Sequence, residues 1–167
     1  MPKNLLKNPH GDEDFSNWEL TKNGGDKWCI EQVPDDAVAS YFRTSFQPCL
    51  KKQVIILLQS GYDADYLDSA PEVTVRDWYS THSACGGVYR LIVSLLNENR
   101  EVIATFKPTD VTLPDGSTWT QVTHKFTSYG PGLRFISFEH GGQDNKNWKG
   151  CYGIRVTGSS VTILPKP

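Results

Sequence analysis

Apolar and polar positions in this chain alternate in short runs instead of recurring at the three-to-four-residue spacing of helices, so the runs read as strands. Trp28 to Val33 is a short, mixed run. Between Gln53 and Gln59 the residues are apolar throughout, as in a strand buried on both faces. Glu72 to Ser80 alternates, with Val73, Val75 and Asp77 on one side. Val88 to Leu96 and Glu101 to Phe106 flank Asn97-Glu98-Asn99-Arg100, which reads as a hairpin turn. Thr118 to Ser128 and Leu133 to His140 flank a second turn, Tyr129-Gly130-Pro131-Gly132. Arg155 to Leu164 closes the series. The helical signal is weak and confined to Asp63 to Asp68.

Ten prolines and fourteen glycines punctuate these runs at fairly regular intervals. Many short strands separated by turn clusters predict an all-β domain, a sandwich or barrel. The 167 residues fit one domain, 1–167, with a real hydrophobic core. The polar stretch from residue 1 to about Gly25 predicts an irregular wrap over the sheets.

Composition removes several classes of partner. Net charge is −2 and the basic residues are scattered, so there is no stripe for a phosphate backbone, and nucleic acid is not an expected partner. The start, Met1-Pro2-Lys3-Asn4-Leu5-Leu6-Lys7, is too short and polar for a signal peptide. The longest apolar run, Val54 to Leu58, cannot span a bilayer. The chain lacks an Asn-X-Ser/Thr acceptor. Together these predict a cytoplasmic protein without a membrane partner. Cys29, Cys49, Cys85 and Cys151 form no Cys-x-x-Cys pair, which predicts reduced thiols and neither a zinc site nor another cofactor.

One segment carries candidate chemistry. From His140 to Ser160 the chain leaves a strand, passes Gly141 and Gly142, and enters a loop holding Gln143, Asp144, Asn145, Asn147, Trp148 and Lys149. An indole is costly to expose on such a loop. A pyranose would repay it: its C–H face stacks on the ring while its hydroxyls need amides and charges at the rim. The alternative is that Trp148 folds inward as a loop anchor. Phe46, in Ser45-Phe46-Gln47-Pro48-Cys49, has the same two readings, with a core aromatic favoured when it is taken alone. The loop Ser80 to Gly87, with His82, is a third candidate wall at one end of the sandwich.

Enzyme signatures are absent: no G-x-S-x-G, no H-E-x-x-H and no phosphate-binding glycine loop occurs. Adjacent Glu139 and His140 point to opposite faces of a strand. Asn23-Gly24-Gly25-Asp26 and Asp115-Gly116 read as turns before they read as Ca²⁺ ligands.

The sequence also resembles a family. Asn4-Leu5-Leu6-Lys7-Asn8-Pro9, Asn23-Gly24-Gly25-Asp26-Lys27-Trp28, Asp77-Trp78-Tyr79, Tyr129-Gly130-Pro131-Gly132-Leu133-Arg134-Phe135, Phe138-Glu139-His140-Gly141-Gly142-Gln143-Asp144, Arg155-Val156-Thr157 and Ser159-Ser160-Val161 are similar, in this order, to the F-box-associated (FBA) domain. The resemblance implies an antiparallel β-sandwich of the jelly-roll, galactose-binding-like type. It implies a lectin-like role in SCF ubiquitin ligases, recognising the chitobiose and trimannosyl core of high-mannose N-glycans on misfolded glycoproteins in the cytosol. It places the sugar at one end of the sandwich, with a stacking Trp at Trp148, a Lys at Lys149 and a supporting Phe at Phe46. Two positions depart from the family pattern. A Tyr of the family is Asn147 here, and an Asp that contacts sugar is Ala84. Trp78 and Tyr79 are further candidate neighbours. The F-box itself is not in the sequence, so a cullin-ligase adaptor is expected only if an F-box precedes this chain; the reading is of an excised domain or of a relative without an F-box.

Three expectations compete. The first is a binding domain for glycan, not an enzyme. The second is a protein-interaction module of the same fold with a lapsed sugar site, for which Asn147 and Ala84 argue. The third, a small carbohydrate hydrolase, lacks an acid/base signature.

Overall fold

The computed structural model describes residues 3–11, 13–32, 40–81, 85–144 and 153–164. Among these residues eleven strands form two sheets, and every strand pair is antiparallel. The strands are β1 (Glu19–Asn23), β2 (Cys29–Gln32), β3 (Ser40–Arg43), β4 (Cys49–Ile56), β5 (Val73–Thr81), β6 (Gly87–Leu96), β7 (Val102–Phe106), β8 (Val111–Leu113), β9 (Thr120–Phe126), β10 (Phe135–Asp144) and β11 (Ile154–Ile163). The six-stranded sheet runs β1-β4-β10-β6-β7, with β8 also paired to β6; the five-stranded sheet runs β2-β3-β11-β5-β9. The fold is therefore the expected antiparallel β-sandwich.

The core follows from strand alternation. On β6, Tyr89, Leu91, Val93 and Leu95 point inward between half-buried neighbours. On β10, Ile136, Phe138 and His140 do the same, and β5 contributes Val73, Val75, Asp77 and Tyr79. The expected inward side of β5 is thus the observed one, Asp77 included.

Several details differ from the sequence reading. The apolar run expected to be buried on both faces ends as a strand at Ile56 and continues as a 3₁₀ turn, Leu57–Gln59. The inward residues of β4 include Lys51 and Gln53, while Ile56 points to solvent. The turn at Tyr129–Gly132 does not close a hairpin, because β9 and β10 lie in different sheets. Glu19–Asn23, inside the stretch read as an irregular wrap, is the edge strand β1 against β4. The short helix α1 (Ala64–Asp68) forms where expected, capped by Asp63 accepting from the Tyr66 N–H at 2.8 Å.

The N-terminal segment ties the two sheets together. The Leu5 N–H donates to the Val161 carbonyl at 2.8 Å on β11. The Lys7 N–H donates to Gln53 Oε1 at 2.8 Å, and Gln53 Nε2 donates back to the Lys7 carbonyl at 3.0 Å on β4. Gln53 faces inward because the backbone of Lys7 satisfies its amide there.

Candidate functional site

Strand direction sorts the connections by end. Asn23 pairs with Cys49, Gly142 with Cys49, Gly87 with Asp144, Thr81 with Ile154, Cys29 with Arg43 and Leu113 with Gly87. The strand ends that bound residues 24–28, 44–48, 82–86, 114–119 and 145–153 therefore all lie at one end of the sandwich.

Phe46 lies in the second of these connections, whose backbone is clamped on both sides. The Asp144 N–H donates to the Ser45 carbonyl at 2.9 Å and the Gly153 N–H to the Thr44 carbonyl at 3.0 Å. The Ile154 N–H adds a bond to Thr44 Oγ1 at 2.7 Å. The two stems of the 145–152 segment are thus anchored on the two residues preceding Phe46. From the other side, Ser45 Oγ accepts the Asp26 N–H at 2.9 Å. Gly25 has φ +60°, and a Cβ there would lie 3.0 Å from Phe46 Cδ1, so a glycine is required both for the turn and for the ring. Phe46 is half-buried.

Asn147, Trp148 and Lys149 lie outside the described residues, as do Ala84, His82 and Cys151. The other two candidates lie on β5, two and three residues in from Thr81 at its end. Tyr79 alternates inward with Asp77; it is buried and stacks on Tyr89 with ring centroids 4.2 Å apart. Its ring is a core contact and does not face a ligand. Trp78 points the opposite way, onto the outer face of the five-stranded sheet, and is 37% exposed. It pairs with Thr157 on β11, three residues in from Thr81 at the strand end.

β10 reaches the loop end through two glycines that admit no side chain. A Cβ at Gly141 would sit 1.9 Å from the Cys49 carbonyl oxygen, and one at Gly142 1.9 Å from that of Val88. The glycine pair is therefore strand backbone, bare because both neighbouring strands press against it.

Behind this end lies a buried polar hub that the sequence reading missed. Asp77 Oδ2 accepts from the Tyr89 hydroxyl at 2.5 Å and from His140 Nδ1 at 2.5 Å, and Oδ1 accepts from Ser159 Oγ at 2.7 Å. The bond to Asp77 assigns the His140 proton to Nδ1. Burial pushes the His140 pKa down to about 4, against the pull of Asp77. Burial also holds Tyr89 well above the ordinary phenol range. The fully buried Lys51 is pushed well below its ordinary value by desolvation, opposed by Asp77. Its Nζ lies 3.1 Å from the Trp18 ring centroid and 3.9 Å from that of Phe42. The hub is sealed from solvent, with Asp77 and His140 fully buried, so it fastens β5, β6, β10 and β11 together and presents no group to a substrate. Among the described residues, no cluster of three or more His, Cys, Asp or Glu could hold a metal, and no helix is long and apolar enough to cross a membrane.

Comparison with known proteins places the chain. The family described as the F-box associated region matches residues 1–163. The chain is 45% identical to F-box only protein 2 of Bos taurus, over 98% of its own length and 59% of that protein. It is 41% identical to F-box only protein 6 of Homo sapiens, over 99% of the chain and 60% of the relative. It thus spans about three fifths of these relatives. In fold it is similar to the CBM22-1 xylan-binding domain of Paenibacillus barcinonensis Xyn10C, with TM-score 0.55 at 10% identity, covering 99% of this chain and 97% of that one. A second fold neighbour is TmCBM61 in complex with β-1,4-galactotriose, with TM-score 0.57 at 14% identity, covering 97% and 99%. The matched span and these identities establish that the chain belongs to the family of F-box associated regions.

Proposed function

We propose that this domain is a lectin-like recognition module, not an enzyme. Its loop end takes the chitobiose and trimannosyl core of high-mannose N-glycans exposed on misfolded glycoproteins in the cytosol. Joined to an F-box, it would deliver such glycoproteins to an SCF ubiquitin ligase for degradation. The observation that carries this reading is the anchoring of both stems of the 145–152 segment, which bears Asn147, Trp148 and Lys149, on the Thr44–Ser45 backbone beside Phe46. That anchoring brings the roots of the two candidate sugar-stacking loops together. Membership of the family and the saccharides named for two fold neighbours support the same class of ligand.

The test is titration of chitobiose into the protein followed by tryptophan fluorescence, with Trp148→Ala alongside. Loss of the indole is expected to weaken binding at least tenfold, about 1.4 kcal/mol, with a nearly unchanged thermal transition. A large fall in melting temperature would mark Trp148 as a core residue and remove the reading. A second reading, a protein-interaction module with a lapsed sugar site, rests on Asn147 and Ala84 standing where the family has Tyr and Asp. Silence at millimolar chitobiose would favour it.

A further inference from the structure

We propose a second ligand site on the outer face of the five-stranded sheet, built around Trp119 and selective for a pyranoside that carries a carboxylate. This site stands independently of the Trp148 reading.

Trp119 separates two clefts. On one side a cleft of about 250 Å³ is lined by Ser80, Thr81, Ser117, Thr118 and Arg155. On the other a cleft of about 200 Å³ is lined by Trp78, His10, Thr157 and Gly158. The wall between them is built in. Thr81 Oγ1 donates to the Pro114 carbonyl at 3.0 Å and accepts the Ser117 N–H at 2.6 Å. Ser117 Oγ also donates to the Pro114 carbonyl, at 2.9 Å. The Trp119 ring then lies edge-on to buried Tyr41, with centroids 5.5 Å apart.

The first cleft holds polar groups with unused bonding capacity. Ser80 is only 2% exposed, yet its hydroxyl makes no hydrogen bond. Arg155, its register partner across β5 and β11, has an Nε that is likewise buried without a hydrogen bond. Directly opposed residues have Cβ atoms about 5 Å apart, so the two unpaired groups share one face of the sheet. Buried polar groups are normally paired, and two adjacent orphans mark a place where a ligand supplies the partner. Arg155 has only donors, and among the described residues neither cleft is lined by a carboxylate side chain. The complement of this lining is an anionic acceptor, and guanidinium and carboxylate match in geometry.

The second cleft supplies the apolar half. The chain bulges between Thr157 and Ser160, and Gly158 takes φ +64°. A Cβ at Gly158 would lie 2.9 Å from Trp78 Cδ1, so the glycine leaves room for the Trp78 indole beside β11. Trp78 and Trp119 then offer aromatic surface to the C–H face of a sugar ring. A carboxylate held at Ser80 and Arg155 and a ring against the tryptophans fit one acidic pyranoside across the Trp119 wall.

The probe is methyl β-D-glucuronide, with methyl β-D-glucoside as its neutral counterpart, followed by saturation-transfer NMR and tryptophan fluorescence. Saturable millimolar binding of the glucuronide is expected, at least tenfold tighter than the glucoside. Arg155→Gln should abolish that preference, Trp119→Ala should weaken both sugars at least tenfold, and Trp148→Ala should change neither. Far-ultraviolet circular dichroism checks that Trp119→Ala folds; if it does not, Arg155→Gln alone decides. No saturable glucuronide binding, equal affinity for the two sugars, or an unchanged preference in Arg155→Gln would overturn the proposal. Loss of glucuronide binding in Trp148→Ala would overturn it too, by assigning the sugar to the loop end.

Discussion

Replacing Asp77 with Asn tests whether the buried hub holds the sandwich together. The two side chains are nearly isosteric, so the change removes charge and one acceptor with little change of volume. In the native protein Oδ2 receives two donors, Tyr89 and His140, each at 2.5 Å, and Oδ1 receives Ser159 at 2.7 Å. An Asn amide has one acceptor oxygen. Whichever way it turns, its NH₂ group faces at least one donor of the hub. If the oxygen stays with Ser159, the NH₂ can pair with Tyr89 only by reversing the hydroxyl, and the His140 Nδ1–H loses its acceptor. Each hydrogen bond to a charged group contributes about 1.5–3 kcal/mol, and breaking a buried charged network costs about 3–5 kcal/mol. Lys51 also loses the opposing charge that favours its ammonium form. We expect a loss of about 4 kcal/mol. For a chain of this size that corresponds to a fall in Tm of roughly 8–16 °C. Scanning calorimetry and urea unfolding at an unchanged m-value measure it. Tyr89→Phe, which removes a single donor, should cost about 1.5–3 kcal/mol. A loss below about 1 kcal/mol for Asp77→Asn would show that the hub does not stabilise the fold.

Stability should also depend on pH through His140, whose pKa is depressed from 6.5 to about 4 by burial. The unfolded chain binds this proton more readily, so the contribution is fully present above about pH 6.5 and is lost as pH falls towards 4, by roughly 3 kcal/mol in all. Urea unfolding across that window should show the slope, and His140→Gln should flatten it; an equal slope in the variant would contradict the assignment. Gly142→Ala would drive a methyl group onto the Val88 carbonyl and force β10 away from β6, costing more than about 3 kcal/mol. Chemical denaturation within 1 kcal/mol of the native protein would show instead that the strands yield easily.

Strands with strong patterning were legible in the sequence and short polar ones were not. Val88–Leu96 appears as β6 at Gly87–Leu96, and Arg155–Leu164 as β11 at Ile154–Ile163, because each carries long apolar alternation. β1, with the sequence Glu-Leu-Thr-Lys-Asn, and the three-residue β8 have no such signal; they form at sheet edges because a neighbour offers unpaired backbone groups. The hub could not be read from spacing, since Asp77 and His140 are 63 residues apart and meet only through the packing of two sheets. Nor did alternation suggest an inward Lys51, a charge that pattern reasoning assigns to solvent. At the loop end, Phe46 was legible as a loop aromatic, whereas its clamping between Asp26, Asp144 and Gly153 depends on strand register. Trp78 and Tyr79, adjacent in the sequence and grouped as candidate neighbours of a sugar, part to opposite faces of β5 as strand geometry requires.

Calorimetric titration of free trimannosyl-chitobiose into the native domain tests whether the loop end binds glycan. Saturable heat at micromolar to millimolar glycan, at least tenfold weaker in Phe46→Ala and in Trp148→Ala, is the expected result. Silence throughout that range, from a protein whose thermal unfolding shows it to be folded, would contradict the lectin reading.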